Sequence, residues 1–320
     1  MTDAHDDSKD PAEAPAGAIA TPDETRRTLL RGQARGYTQV RNLLVQLPEK
    51  DEAGSRASVL ARAVTDRRRR ELLLYLLLLG SWPVVDYHQE RMEPEARRAP
   101  LPSNVWIRAL TEPGRPAMKP SALSTAWSNL TGMRLVERKR KKRATWVSPC
   151  REDGTGQPYR KPTGGGGRES YYFILPDEFW HSGLFAKLTL PGLAMFLLFL
   201  KETSDAREFQ ITTEHIEAWY GISRRSAQNG IDDLEAHGIL FKRYERVSEP
   251  LSAVGFTDRI HYRLLGEYSY ESRAALRKAA RSAVRRRAAA DAAEAIDGKS
   301  PSVPRRTLKK PRARMVVKSP

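Results

Sequence analysis

The chain is short of several things that whole classes of protein require. Of its 320 residues only one, Cys150, is cysteine. That excludes an intrachain disulfide and any multi-cysteine zinc site, and it fits a reducing compartment. The histidines (His5, His88, His181, His215, His237 and His261) are scattered, with no His-x-His pair and no zincin spacing. The longest apolar runs, residues 72–79 and 193–200, fall well short of the ~20 residues a membrane span needs. The N-terminal stretch MTDAHDDSKD is acidic and lacks the apolar centre of a signal peptide. Four glycines at 164–167 lack the following Lys-Ser/Thr of a phosphate loop and read as a flexible linker. No nucleophile–base constellation is legible. These absences point to a cytoplasmic protein that is not an enzyme, needs no cofactor and does not enter a membrane.

Acidic residues are also in deficit. Lys and Arg number 55 against 39 Asp and Glu, so the formal net charge is +16 and the sequence pI about 10.0. A balance that basic calls for a polyanionic partner, and with no apolar anchor the better partner is double-stranded DNA. Part of the excess sits at the C-terminus, where residues 271–320 hold fifteen Lys or Arg against four Asp or Glu. Such a segment holds polyphosphate without reading sequence, and the expected location is cytoplasmic and nucleoid-associated.

The stretch ISRRSAQNGIDDLEAHGIL at 222–240 carries the most structure in its pattern. Ile222, Ala227, Ile231 and Leu234 form an apolar stripe at helical spacing. Ser223 is an N-cap residue and Gly238 stands where a helix stops in a left-handed residue. Outward positions are Arg224, Arg225, Gln228 and Asn229, the residue types that read guanine and adenine edges in a major groove. The competing reading is a surface helix with a solvated polar face.

Around this block a repeat emerges. Residues 65–76 can be laid over 189–200, each with a threonine N-cap candidate seven residues before a five-residue apolar run. Residues 126–136 line up with 230–240 in the positions of their apolar residues. The interval between the two blocks is longer in the first copy, and residues 83–102 are the simplest insertion. The second copy reads as helix 189–202, strand 208–211, helix 213–220, helix 223–237 and a hairpin from 239–247 returning near 259–264. The first copy follows with helices at 104–110 and 120–130, then a hairpin opening at 135–143. That hairpin returns at 145–147 or, after a long loop, at 171–175. Helix, strand, helix, turn, helix and hairpin is the winged-helix order.

The expected architecture is therefore mainly α with small β-wings, built as two pseudo-repeated winged-helix domains. Residues 1–36 form an acidic disordered segment and 37–150 the first domain, within which 37–47 reads as either a strand or a short helix. Residues 151–170 are a linker or extended wing loop, and 171–266 the second domain. Residues 267–297 are a basic Ala/Arg-rich helix whose stripe (Leu276, Ala280, Ala283, Val284) is too thin for a core, and 298–320 a disordered tail. Trp127, Trp219 and Tyr220 read as core.

The block at 222–240 resembles the recognition-helix segment of winged-helix regulators such as the GntR group. There a small apolar residue, Ser, two Arg-like residues and Ser or Thr precede core positions ending in Leu-x-x-x-Gly-hydrophobic. That resemblance implies that Arg224, Arg225, Ser226, Gln228 and Asn229 face DNA, with Lys242, Arg243 and Arg246 on the wing strand near phosphate or minor groove. It covers one helix and the start of the wing. A tandem pair of winged helices also resembles, in architecture alone, plasmid replication initiators of the iteron-binding type.

The first copy departs from this pattern. Lys119 stands where the second has Ser223, and the outward residues Ser121, Ser124, Thr125 and Ser128 are short, suited to phosphates rather than bidentate base contacts. Beside them lie six consecutive cations, Arg138, Lys139, Arg140, Lys141, Lys142 and Arg143. The second domain is expected to specify and the first to supply affinity. Arg67, Arg68, Arg69 and Arg70 read as solvated positions at the start of a buried helix, with DNA or an acidic partner as the alternative. A transcription regulator, a replication initiator and a protein-docking adaptor are the function classes left standing, with a homodimer left open.

Overall fold

The computed structural model describes residues 19–48, 58–90, 100–141 and 144–297. Thr21-Pro22-Asp23-Glu24 opens the first helix, α1 (Pro22–Leu30), as a capping box: the Thr21 hydroxyl accepts from the Glu24 amide while the Glu24 carboxylate accepts from the Thr21 amide. This corrects the reading of residues 1–36 as a disordered segment for its later part. Leu29 and Leu30 reach the core, and buried Arg26 donates to the carbonyl of Ala109. Residues 1–18 lie outside the described residues.

Residues 37–47 are a strand followed by a 3-10 turn: β1 (Tyr37–Arg41), then Asn42–Leu44. Next come α2 (Val59–Thr65) and α3 (Arg69–Glu90). Thr65 is not an N-cap; it closes α2, its hydroxyl bonding back to the Ala61 carbonyl. Arg67 then takes a left-handed φ of 56°, and the Arg68 carbonyl accepts the first bond of α3, from Leu72. In the second copy the Thr189 carbonyl accepts from Leu193 in the same way. Helix α3 therefore opens three residues past Thr65, with the Arg68 carbonyl in the role that the Thr189 carbonyl has at the head of the later helix. Helix α3 also runs through Pro83 to Glu90, into the stretch read as an insertion.

The first copy continues with α4 (Ser103–Ala109), α5 (Pro120–Gly132), β2 (Val136–Lys141) and β3 (Ala144–Pro149), the last two paired antiparallel. Then come β4 (Tyr172–Pro176), the single-turn helices α6 (Glu178–His181) and α7 (Leu184–Lys187), α8 (Leu190–Glu202) and β5 (Phe209–Gln210). The second copy ends in α9 (Thr213–Tyr220), α10 (Arg224–Ala236) and the hairpin β6 (Leu240–Ser248) and β7 (Phe256–Leu264); α11 (Tyr270–Asp297) follows. The fold is thus mainly helical with small antiparallel sheets.

The two copies stop their third helices alike. Arg134 and Gly238 both adopt left-handed φ, 57° and 68°, and the next amides, Leu135 and Ile239, bond to Leu130 and Leu234 carbonyls five residues back. From there Cys150 and Leu265 return to the carbonyls of Leu135 and Ile239.

Strand β1 pairs antiparallel with β4, Tyr37 opposite Pro176 and Arg41 opposite Tyr172. Helix α3 packs on β1, α8 packs on β4, and α2 touches both helices. Residues 72–79 and 193–200 are all buried, as runs apolar around the whole helix must be. One hydrophobic core consequently runs from Leu29 to Tyr268, and residues 1–280 form one compact unit, with 281–320 a second. Residues 151–170 are no free linker. Glu152 is fully buried against Arg41, and Cys150 bridges to Pro158.

The start of α11 is more than a thin stripe. Leu276 and Ala280 pack with Tyr37 and Ile174, and Arg273 is completely buried. In the second unit the described part of α11 carries Arg281, Arg285, Arg286 and Arg287. Its tail from 298 lies outside the described residues.

Asp177, just after β4, has a carboxyl oxygen buried without a hydrogen-bond partner among the described residues. Burial pushes its pKa up to about 7. With a folded pKa above the unfolded one, the stability this group supplies is full below about pH 4 and is lost as pH rises to about 7. Asp177→Asn is therefore expected to gain roughly 1–3 kcal/mol over the parent at pH 8 and almost nothing at pH 4. Urea unfolding at both pH values measures the difference.

Candidate nucleic-acid interface

Helix α10 is set by its caps and its underside. The Ser223 hydroxyl accepts from the Ser226 amide, and Ala227, Gly230, Ile231 and Leu234 are buried. Gly230 permits the close approach to α8: a Cβ there would lie 2.3 Å from the Pro191 carbonyl oxygen. Asp233 completes the joint, accepting from the Thr189 amide and hydroxyl at 2.9 and 2.8 Å. In the first copy Asn129 occupies the matching place and donates to Glu71 on α3 at 2.6 Å.

The opposite face of α10 exposes Arg224, Arg225, Gln228 and Asn229, with Ser226 half-buried. They are not equally available. Arg224 is held by Glu217 at 3.0 Å and Glu214 at 3.5 Å, both of these carboxylates on α9. Gln228 donates to Asp232, and Ser226 is spent on the cap. Among the described residues, the side chains of Arg225 and Asn229 have no partner.

The cations expected on the second wing are paired. Lys242 reaches from β6 to Glu235 and Asp232 of α10. Arg243 bonds Glu208, whose carboxyl it holds below the usual range, and lies near Glu245. Arg246 bonds Asp258, lowering that carboxyl likewise, and sits 3.9 Å over the Phe256 ring. Sequence reasoning passed over Tyr244 and Arg259 on the same hairpin. Tyr244 is 66 % exposed, and exposed Arg259 has no side-chain partner among the described residues. No local alternation marks them: Tyr244 and Glu245, the latter opposite Arg259, lie in an unbroken run of exposed residues at 243–246.

On the first copy, Ser121, Ser124 and Thr125 are exposed along α5. Arg138 lies across this face, its guanidinium 3.1 Å from the Ser128 hydroxyl and 3.5 Å from that of Ser124. Lys139 pairs with Glu137. Arg138 and Arg140 line a groove of about 250 Å³ between α5 and the hairpin, floored by Trp106, Leu123 and Trp127. Lys141 closes β2, and Lys142 and Arg143 lie outside the described residues.

Trp219 corrects a core assignment. Trp127 and Tyr220 are buried, but Trp219 is 45 % exposed on α9, its ring 4.8 Å from that of His215. Ile216 and Tyr220, four residues apart, are the buried residues of α9, and Trp219 lies at the edge of the face they share.

Among the described residues no three His, Cys, Asp or Glu side chains gather as a metal site, and no helix is long and apolar enough to cross a membrane. Comparison with protein-family models, with characterised proteins and with solved structures finds no match to this chain.

Proposed function

We propose that this chain binds double-stranded DNA through two winged-helix units and acts as a transcription regulator. The observation that carries the reading is α10: a capped helix seated on α8 by Gly230 and Asp233, with Arg225 and Asn229 unpartnered on its outer face and a long hairpin beside it. A helix of this kind fits a major groove, where Arg takes guanine and Asn takes adenine by two hydrogen bonds each. Because Arg224 and Gln228 already have protein partners, base reading falls first to Arg225 and Asn229. The Ser-lined face of α5 with Arg138 across it is suited to backbone phosphates, which position the protein without specifying sequence.

Arg225→Ala is expected to cost roughly 1–3 kcal/mol of binding and to relax preference at one base pair. Fluorescence anisotropy against the preferred duplex and its single-base variants reads both. A variant that weakens every duplex equally contradicts base reading by Arg225.

A second reading has an observation of its own. The β1–β4 pairing puts both copies in one compact unit, which fixes the spacing of α5 and α10. Rigid spacing suits a chain that recognises repeated sites at constant separation, as a plasmid or mobile-element replication initiator does. Direct repeats beside an origin among the bound sequences favour it; isolated promoter sites favour the regulator.

A further inference from the structure

We infer that the first copy carries a phosphate-binding pocket of its own, built from Arg67, Arg70 and Arg115. The cavity holds about 440 Å³ and lies between the start of α3 and the connection from α4 to α5. Its charged lining is Arg67, Arg69, Arg70 and Arg115 against Glu71 and Glu112.

The four arginines do different things. Arg69 is structural: it pairs with Glu112 at 2.7 Å and donates to the carbonyls of Leu188, Phe185 and Ala186. Arg115 reaches Glu112 at 2.8 Å while remaining largely in solvent. Glu71 is taken by Asn129 and by Arg68. Among the described residues that leaves Arg67 and Arg70 with no side-chain partner, both exposed at the cavity. Guanidinium groups lining one cavity repel one another, and a group that bridges them through several oxygens relieves it. A phosphate dianion matches the planar donor forks in geometry as well as charge.

The repeat supplies an independent argument. In the second copy α9 and α10 are joined by three residues, 221–223, whereas α4 and α5 are joined by ten, 110–119. Thr111, Glu112, Arg115, Pro116 and Met118 in that longer connection form one wall of the cavity. At the head of the long helix the second copy has Leu188-Thr189-Leu190-Pro191 where the first has four arginines. Wall and charge occur together, in the copy whose third helix has the weaker set of base-reading side chains.

The ligand is a phosphate group, either on a free phosphorylated molecule or on the backbone of bound DNA. The inference stands apart from the DNA reading, because the pocket is tested without DNA. The full chain and its R67Q/R70Q variant are titrated with inorganic phosphate at matched ionic strength in sodium chloride, followed by ³¹P line broadening and by melting temperature. The parent is expected to bind and the variant to bind at least about tenfold more weakly. The same pair is then titrated with duplex DNA across a salt series. A variant with unchanged DNA affinity assigns the pocket to a free phosphorylated ligand. A salt slope smaller by about two assigns it to the DNA backbone. Phosphate binding absent from the parent, or equal in the two proteins, overturns the inference even if DNA binds tightly. Phosphate binding lost in the variant while neither protein binds DNA supports the pocket and counts against the DNA reading alone.

Discussion

Glu152→Ala is expected to destabilise residues 1–280 by about 3–5 kcal/mol, the cost of stranding a buried charge. Glu152 is fully buried and Arg41 nearly so. One carboxyl oxygen of Glu152 takes the Arg41 guanidinium at 2.6 Å and the other takes the Arg41 backbone amide at 3.2 Å. The same guanidinium also donates to the Arg160 carbonyl and lies 5.6 Å from the centre of the Tyr159 ring. Removing the carboxylate leaves a buried cation at the end of β1 without its counter-charge. Because β1 pairs with β4 and packs on α3 within one continuous core, the loss is expected in one cooperative transition rather than in the loop alone. The control is Arg41→Met combined with Glu152→Leu. Removing both charges together is expected to recover at least half of the loss, since an apolar replacement of a buried pair is often close to neutral. Chemical denaturation of parent, single and double variants measures this. A single variant within about 1 kcal/mol of the parent shows that the loop relaxes to let water reach Arg41.

Arg273→Met is expected to cost about 2–4 kcal/mol, or roughly 3–7 °C in melting temperature. Arg273 is completely buried with no carboxylate in ion-pair range among the described residues. Its partners are carbonyls: Leu200 at 3.0 Å and Thr203 at 2.9 Å from the end of α8, and Tyr268 at 2.9 Å, with the Thr203 hydroxyl at 2.6 Å. The C-terminal end of a helix presents unpaired carbonyls and partial negative charge, so a guanidinium is well matched to it. Burial nonetheless pulls the pKa of Arg273 down to about 10. Methionine fills much of the volume but donates nothing. The Leu200 carbonyl keeps the Ser204 hydroxyl at 2.9 Å, while those of Thr203 and Tyr268 lose their guanidinium donor. Differential scanning calorimetry of the two proteins reads the shift. Arg273→Lys, which keeps a charge but not the fork, is expected to fall between them.

Neither residue stands out in the sequence, and the reason is distance along the chain. Arg41 and Glu152 are 111 residues apart, and Arg273 and Leu200 are 73 apart. No local pattern registers such a pairing. What local pattern did carry was the second copy. Thr212, Ser223, Gly221 and Gly238 are all cap residues, and they bound α9 and α10 to within a residue of the expectation. The first copy lacks those signals. Its α5 opens at Lys119 without a side-chain cap, its C-terminal left-handed residue is Arg134 rather than glycine, and the head of α3 is a run of arginines. That is why Thr65 reads as a cap in the sequence although Arg68 opens α3. The N-terminal helix was missed because its capping box is surrounded by residues that look disordered, with only Leu29 and Leu30 to anchor it.

For the interface, periodicity found the exposed face of α10 but not its ion pairs. Glu214 and Glu217 restrain Arg224, and Glu235 and Asp232 restrain Lys242, through contacts that form only when α9, α10 and β6 meet. The proposed base-reading set thereby narrows from five residues to a pair, Arg225 and Asn229.

We propose that Arg225 and Asn229 read sequence. Selection of bound duplexes from a random library at about 150 mM salt, with parent and Arg225→Ala proteins in parallel, tests it most directly. An enriched motif is expected for the parent, and the same motif with one position relaxed for the variant. Tight binding with no enriched motif, or an identical motif from both proteins, would contradict it.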